Sequence, residues 1–222
     1  MSNRTASTTP SENAPARALR ADAERNRQRI IAAAQEVFAE RGLDVTLDDV
    51  AHHAGVGVGT VYRRFGGREE LVEAVFEDEA LRVVALAEQA LAHEDPWDGL
   101  VEYFLAAAQR FADNRGLREV LLGHVDGRPR VAAARERLMP AVGALIARAQ
   151  QDGRLRDDIE RTDFPLIQIM LGAVTQHSRT ITPDLWKRYL TLILDGIRRD
   201  RGGPSPLPHR ALDLDEFAQT MK

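Results

Sequence analysis

Residues 47–65 read LDDVAHHAGVGVGTVYRRF, and this stretch decides the fold. Leu47, Val50, Ala51 and Ala54 recur on one helical face, and Thr46-Leu47-Asp48-Asp49 is a capping box in its acidic form. Gly55 ends that helix, and Val56 to Phe65 makes a second short one, stopped by Gly66-Gly67. A helix-turn-helix needs a glycine near the turn, an apolar residue tucked between the helices and a second helix with polar outer positions. Gly55 meets the first demand and Val56 the second. On the second helix Val61 and Phe65 lie four apart and point inward, so Thr60, Tyr62, Arg63 and Arg64 face outward.

Those outward residues suit DNA. Arg63 and Arg64 carry the planar fork that matches the O6/N7 edge of guanine or a phosphate. Thr60 and Tyr62 offer hydroxyl donors to phosphate oxygens, which fix register more than sequence. Gly59 has no side chain, so a phosphate or base edge can approach the helix closely. Thr46 and Arg68, at the two flanks, are placed to clamp neighbouring backbone. Other readings fare worse. Gly55-x-Gly57-x-Gly59 has the wrong spacing for a dinucleotide loop and follows a helix rather than a strand. His52 and His53 are adjacent on a helix, about 100° apart, with no third ligand near, so solvent exposure is expected rather than a metal.

Outward from this core, Ile30, Ala34, Val37, Phe38 and Arg41 define a first helix from about Asp22, stopped by Gly42. A long helix follows from about Arg68 to Ala92, with Glu69, Glu70 and Glu73 near its positive end. Asp95-Pro96 opens a helix through Phe104 to about Asn114, and a short helix surrounds Leu117–Leu122. Residues 130–151 are helical, with Pro140 expected to kink or split them. Thr162 or Asp163 caps the next helix, and Thr182-Pro183 opens the last, to about Asp200. No strand-type alternation and no internal repeat occur. The fold class is therefore all-α with about nine helices. A disordered tail is expected over 1–20, a helix-turn-helix domain over 21–68, a helical body over 69–200 and a flexible tail over 201–222.

Composition agrees. The 222 residues carry 30 Lys and Arg against 34 Asp and Glu, a net charge of −4, and 44% are hydrophobic, as in an ordinary globular protein. The first 68 residues hold ten Arg and eight acids, net +2, so the remainder holds −6. A mildly basic front on an acidic body is what a DNA reader with a separate sensing domain shows. The absence of cysteine excludes disulfides, thiolate zinc sites and cysteine nucleophiles. No apolar run spans a membrane and residues 1–15 lack a signal-peptide core, so the cytoplasm is the expected location. No P-loop, nucleophile elbow or HExxH site occurs. No catalytic residue, metal or cofactor is expected.

From about Glu24 to Phe76 the chain resembles the N-terminal domain of the TetR family of transcriptional regulators. The resemblance rests on Ile30 to Ala34, Phe38-Ala39-Glu40-Arg41-Gly42, Thr46 to Ala51, Ala54 to Phe65 and Glu69-Glu70-Leu71. It implies a homodimeric one-component regulator, most often a repressor. In such proteins the C-terminal helices bind an effector and the last two helices build the dimer. The implied partners are a double-stranded DNA operator, a small-molecule effector of unknown identity and a second copy of the chain, with no membrane. One position departs: where Ser or Thr often starts the recognition helix, this sequence has Gly57, which implies a weaker cap and one phosphate contact fewer.

The C-terminal half follows the family in layout. Residues 163–174 (DFPLIQIMLGAV) are apolar nearly all round their helix, which must be covered on most sides. Gly172 inside it allows another helix to pack closely, and Ile169 lies beside it. The final helix aligns Trp186, Tyr189, Leu190, Ile193 and Ile197. These two helices are expected to form a four-helix dimer interface; an intrachain core is the alternative. Trp97, Phe104, Phe111, His124, Gln168 and His177 are candidates to line an effector pocket, expected to be mostly aliphatic. Two other functions stay open: a DNA-binding regulator that no small molecule controls, and a helical enzyme using the same pocket.

Overall fold

The computed structural model describes residues 14–123 and 128–199. Among them are nine α-helices: α1 (Ala14–Arg41), α2 (Leu47–Ala54), α3 (Val58–Phe65), α4 (Arg68–Leu91), α5 (Pro96–Asp113), α6 (Arg115–Leu122), α7 (Pro129–Gln151), α8 (Asp163–Ser178) and α9 (Leu185–Ile197). Helix α1 begins at Ala14, ahead of the Asp22 start that periodicity gives, so part of the expected 1–20 tail is helical. The expected tail over 201–222 lies outside the described residues, as does His124.

The capping box forms in full. Asp49 N–H donates to Thr46 Oγ1 at 3.1 Å, and Thr46 N–H donates back to Asp49 Oδ2 at 2.8 Å. The Thr46 hydroxyl adds a third bond to the same carboxylate oxygen at 2.6 Å. With Arg41 also donating, these contacts hold the Asp49 carboxyl down at about 2. Gly55 takes φ 64°, the left-handed turn that an L side chain resists, and α3 leaves at once. Val50, Val61 and Phe65 close the head against Ile30, Ala34 and Phe38 of α1, and Val56 packs on the same core.

Helices α4 to α9 form the body, with the most extensive contact between α4 and α7. Helix α5 opens as expected: the Asp95 carboxylate accepts from Asp98 N–H at 2.9 Å and Pro96 follows at the first position. Asn114 caps α6 in the same way, accepting from Leu117 N–H at 2.9 Å. Helix α7 is not split. It runs from Pro129 to Gln151 with Pro140 inside, held along its length by α4. Helix α9 starts at Leu185 rather than at Thr182-Pro183. The acids at the start of α4 do more than face its dipole. Glu73 is buried and accepts from Arg130 N–H at 2.6 Å and Nε at 2.9 Å, while Glu69 pairs with Arg128 at 2.6 Å. They anchor the first turn of α7 to α4.

The head is fastened to the body through α6. Between α1 and α2 lies a tight turn, Gly42–Asp44. Glu119 of α6 accepts from Leu43 N–H at 2.6 Å, and Arg115 bridges Glu119 at 2.6 Å and Asp44 at 3.2 Å. The Leu43 carbonyl accepts from Arg68. Gly42 makes this approach possible: its φ is 74°, and a Cβ there would lie 2.6 Å from the Glu119 carboxylate.

Candidate nucleic-acid interface and ligand cavity

The outer face of α3 presents Tyr62, Arg63 and Arg64, all exposed, with Thr60 half-buried beside them. Val61 and Phe65 point inward, so four-residue spacing fixes which side is offered. Nothing but the Arg63 side chain comes within 4 Å of a Cβ position at Gly59, leaving close access to the helix backbone. The Arg63 guanidinium donates to the Thr60 hydroxyl at 3.2 Å. Among the described residues neither Arg63 nor Arg64 meets a carboxylate, so both keep their charge and donors for an anionic partner. Gly57 stands at the N-cap of α3 with no side-chain bond, as its identity implies.

Thr46 and Arg68 are placed differently from the outward four. The Thr46 hydroxyl donates to Asp49, and the Arg68 guanidinium donates to the Leu43 carbonyl and meets Glu69. Both are committed within the chain. Sequence reading missed Asn26 and Ala23 of α1, which line one shallow groove with Thr60, Arg63 and Arg64. Asn26 lies far from them along the chain, and only the folded head joins them. His53 pairs with Glu36 at 2.7 Å, and His52 is exposed.

In the body, α5, α6, α7 and α8 enclose a cavity of about 40 Å³. Phe111 and Gln168 line it, with Tyr103, Leu121, Leu122, Arg135, Leu138, Met139, Val142, Phe164 and Pro165. Two of the six expected residues are thus brought together. Phe104 is core: its ring packs tilted against Phe164, with centres 4.1 Å apart, and it is not among the residues that line the cavity. Trp97 is buried beneath the Arg198 guanidinium, 5.0 Å from its ring centre. His177 is exposed and bonds its own helix at Ala173 O. The walls are apolar apart from three groups. Burial pushes the Tyr103 phenol upward, so it stays a neutral hydroxyl. Arg135 donates to Gly123 O at 2.6 Å. The Gln168 amide donates to Phe104 O at 3.5 Å, while its Oε1 is buried without a hydrogen-bond partner.

The expected dimer residues divide. Trp186, Leu190 and Ile197 are buried in their own chain, because the stripe they form faces α8 and the core. Gly172 is buried too, and the space a side chain would fill holds the Arg118 side chain of α6 from the same chain. Tyr189 and Ile169 are exposed and Ile193 is half-buried. Leu166, Met170 and Leu192 are also exposed, giving α8 and α9 an apolar outer face.

Comparison with known proteins fits this architecture. Residues 30–75 match the family "Bacterial regulatory proteins, tetR family", and residues 95–199 match "Transcriptional regulator SbtR-like, C-terminal domain". The HTH-type transcriptional regulator SrpR of Pseudomonas putida is 34% identical over 149 residues, 63% of this chain and 68% of that protein. The chain belongs to the TetR family. It is a DNA-binding transcriptional regulator, and its relatives are regulators rather than enzymes. Two solved TetR-type structures share the fold. FadR from Bacillus subtilis, solved in complex with stearoyl-CoA, superposes with a TM-score of 0.57 at 18% identity, covering 77% of this chain and 98% of that one. SmeT, the repressor of a Stenotrophomonas maltophilia multidrug efflux pump, gives 0.55 at 21%, covering 84% and 97%. In this TetR-family chain, among the described residues, no helix is long and apolar enough to cross a membrane.

Proposed function

We propose that this TetR-family chain is a homodimeric, ligand-responsive repressor acting in the cytoplasm. It releases a near-palindromic operator when a small molecule enters the cavity of the body. The observation that carries the reading is α6. Its last turn, Leu121 and Leu122, walls the cavity, and on the same eight-residue helix Glu119 and Arg115 hold the turn that opens the helix-turn-helix. The cavity of about 40 Å³ is far below the roughly 300 Å³ of a typical ligand site, so a ligand must move its walls. Movement of α6 then reaches Leu43 directly.

Thr60, Tyr62, Arg63 and Arg64 carry DNA contact, with Gly59 giving close approach and Asn26 at the groove edge. Thr46 and Arg68 support the head and offer only secondary contacts. Leu166, Ile169, Met170, Tyr189, Leu192 and Ile193 supply the dimer face, and two recognition helices enter successive major grooves about one turn apart. A hundredfold ligand effect on operator affinity corresponds to about 2.7 kcal/mol of coupling.

Selection of bound sequences from a random DNA pool tests the reading. Enrichment of an inverted repeat is the expected result. Binding without sequence preference, fading as salt rises, would leave only phosphate attraction and overturn it.

A further inference from the structure

Gln168, one of the residues that line the cavity, carries a buried acceptor that the chain leaves unsatisfied. Gln168 is 5% exposed; its amide N–H₂ is turned to the Phe104 carbonyl, and its Oε1 has no hydrogen-bond partner. A buried acceptor without a donor costs about 1–3 kcal/mol, so a merely structural residue here would be apolar. The rest of the lining defines what must supply the donor. Phe111, Phe164 and Leu138 are apolar, and the Tyr103 hydroxyl takes no hydrogen bond among the described residues. No carboxylate lines the cavity, so nothing in it would attract a cation. The single cation, Arg135, is already held by Gly123 O.

Resting on the effector reading of this cavity, we propose that its ligand is a compact hydroxylated aromatic molecule whose O–H donates to Gln168 Oε1. The ring lies among Phe111, Phe164 and Leu138, where aromatic edges and faces add to apolar burial. A positively charged ligand finds no partner here. A purely apolar one leaves Gln168 Oε1 unpaired, and so does one whose oxygen only accepts.

Calorimetric titration of the full chain with four probes of nearly one shape tests this: 1-naphthol, 1-methoxynaphthalene, naphthalene and 1-naphthoate. The naphthol binds roughly tenfold more tightly than its methyl ether, the size of one net hydrogen bond. Gln168→Leu abolishes that difference. The same variant without ligand is at least as heat-stable as the parent, because a partnerless acceptor has been removed, whereas a structural glutamine would leave a destabilised protein. Gln168→Met serves the same purpose if the branched side chain does not fit. Equal affinity for naphthol and ether overturns the ligand class and leaves the cavity reading standing. So does a preference for naphthoate that Arg135→Ala removes. Binding that survives Leu138→Trp, which fills the cavity, or no binding by any of the four, overturns the cavity reading as well.

Discussion

Replacing Gly42 by alanine tests whether α6 holds the DNA-binding head through Glu119. The backbone at Gly42 has φ 74°, where an L side chain costs about 1–2 kcal/mol. The new Cβ would lie 2.6 Å from Glu119 Oε2 and Arg115 Nε, and 2.7 Å from Glu119 Oε1. The carboxylate must therefore withdraw, and its 2.6 Å bond from Leu43 N–H is lost. Hydrogen bonds to charged groups contribute about 1.5–3 kcal/mol, and the lower end applies because the Glu119 side chain is 28% exposed. The sum is about 3 kcal/mol, which lowers Tm by roughly 6–12 °C for a domain of this size. Thermal unfolding followed by circular dichroism at one fixed protein concentration reads it. In a Glu119→Ala background the carboxylate collision disappears and the Arg115 Nε, no longer held by Glu119, can swing away, so Gly42→Ala then costs only the backbone share of about 1–2 kcal/mol. A Tm change below about 2 °C for the single variant, or strict additivity with Glu119→Ala, would refute the argument.

Other perturbations separate the remaining roles. Arg63→Ala and Arg64→Ala each lower operator affinity by about 1–3 kcal/mol and relax one position of the site where the residue reads a base; a residue on phosphate instead reduces the salt slope by about one. Unchanged affinity, preference and salt slope in both would remove α3 as the reader. The capping box depends on ionised Asp49, whose carboxyl is depressed from 3.8 to about 2, so its contribution is complete above 3.8 and is lost as pH falls toward about 2. The Thr46 amide resonance follows that lower midpoint, and a midpoint at 3.8 would contradict the cap geometry. Leu192→Asp, on the exposed face of α9, converts the proposed dimer to monomer in sedimentation without unfolding it. Trp186→Ala, in the core of the same helix, costs about 3–5 kcal/mol of stability instead; sedimentation as an unaltered dimer by the Leu192 variant would place the interface elsewhere.

The head was legible because its demands are local. Thr46 and Asp49 stand three residues apart in one box, Gly55 has the only conformation its turn allows, and Val61 and Phe65 share a face at helical spacing. The body resists the same reading. On α9 the pattern gives Trp186, Tyr189, Leu190, Ile193 and Ile197 as one stripe, but a helix with apolar residues on more than one side does not reveal which of them face its own core. Trp186 and Leu190 went inward, leaving Tyr189 and Leu192 outside. Aromatic residues were an uneven guide to the cavity for a related reason: Trp97 and Phe104 are large and fill the core, whereas Phe111 lines the cavity beside the aliphatic Leu121, Leu138 and Val142. Gln168 was readable as the polar residue inside an apolar helix. The Glu119–Leu43 bond spans 76 residues of sequence, and nothing near either residue announces it.

The energies of that long-range contact fit the proposed switch. A ligand shifts an equilibrium only by its differential affinity for the two states, so a connection worth much more than the ligand can supply would lock the head. One worth much less would leave it indifferent to the body. The bond from Leu43 N–H to Glu119, at about 1.5 kcal/mol, is of the same order as the roughly 2.7 kcal/mol that a hundredfold response requires. Helix α6 is short, about 12 Å from end to end, and is capped by Asn114 at the end nearer the head. In the proposed switch it moves as a unit. Outward displacement of Leu121 and Leu122 by a ligand tilts Glu119 relative to Leu43, and the turn that positions α2 and α3 loses its anchor. On this account Glu119→Ala keeps ligand affinity and operator selectivity but loses most of the coupling between them. Paired titrations of ligand and operator, each with and without the other, measure that coupling from both sides, and by reciprocity the two values must agree. Full coupling retained in Glu119→Ala would move the transmission route away from α6 and onto α4.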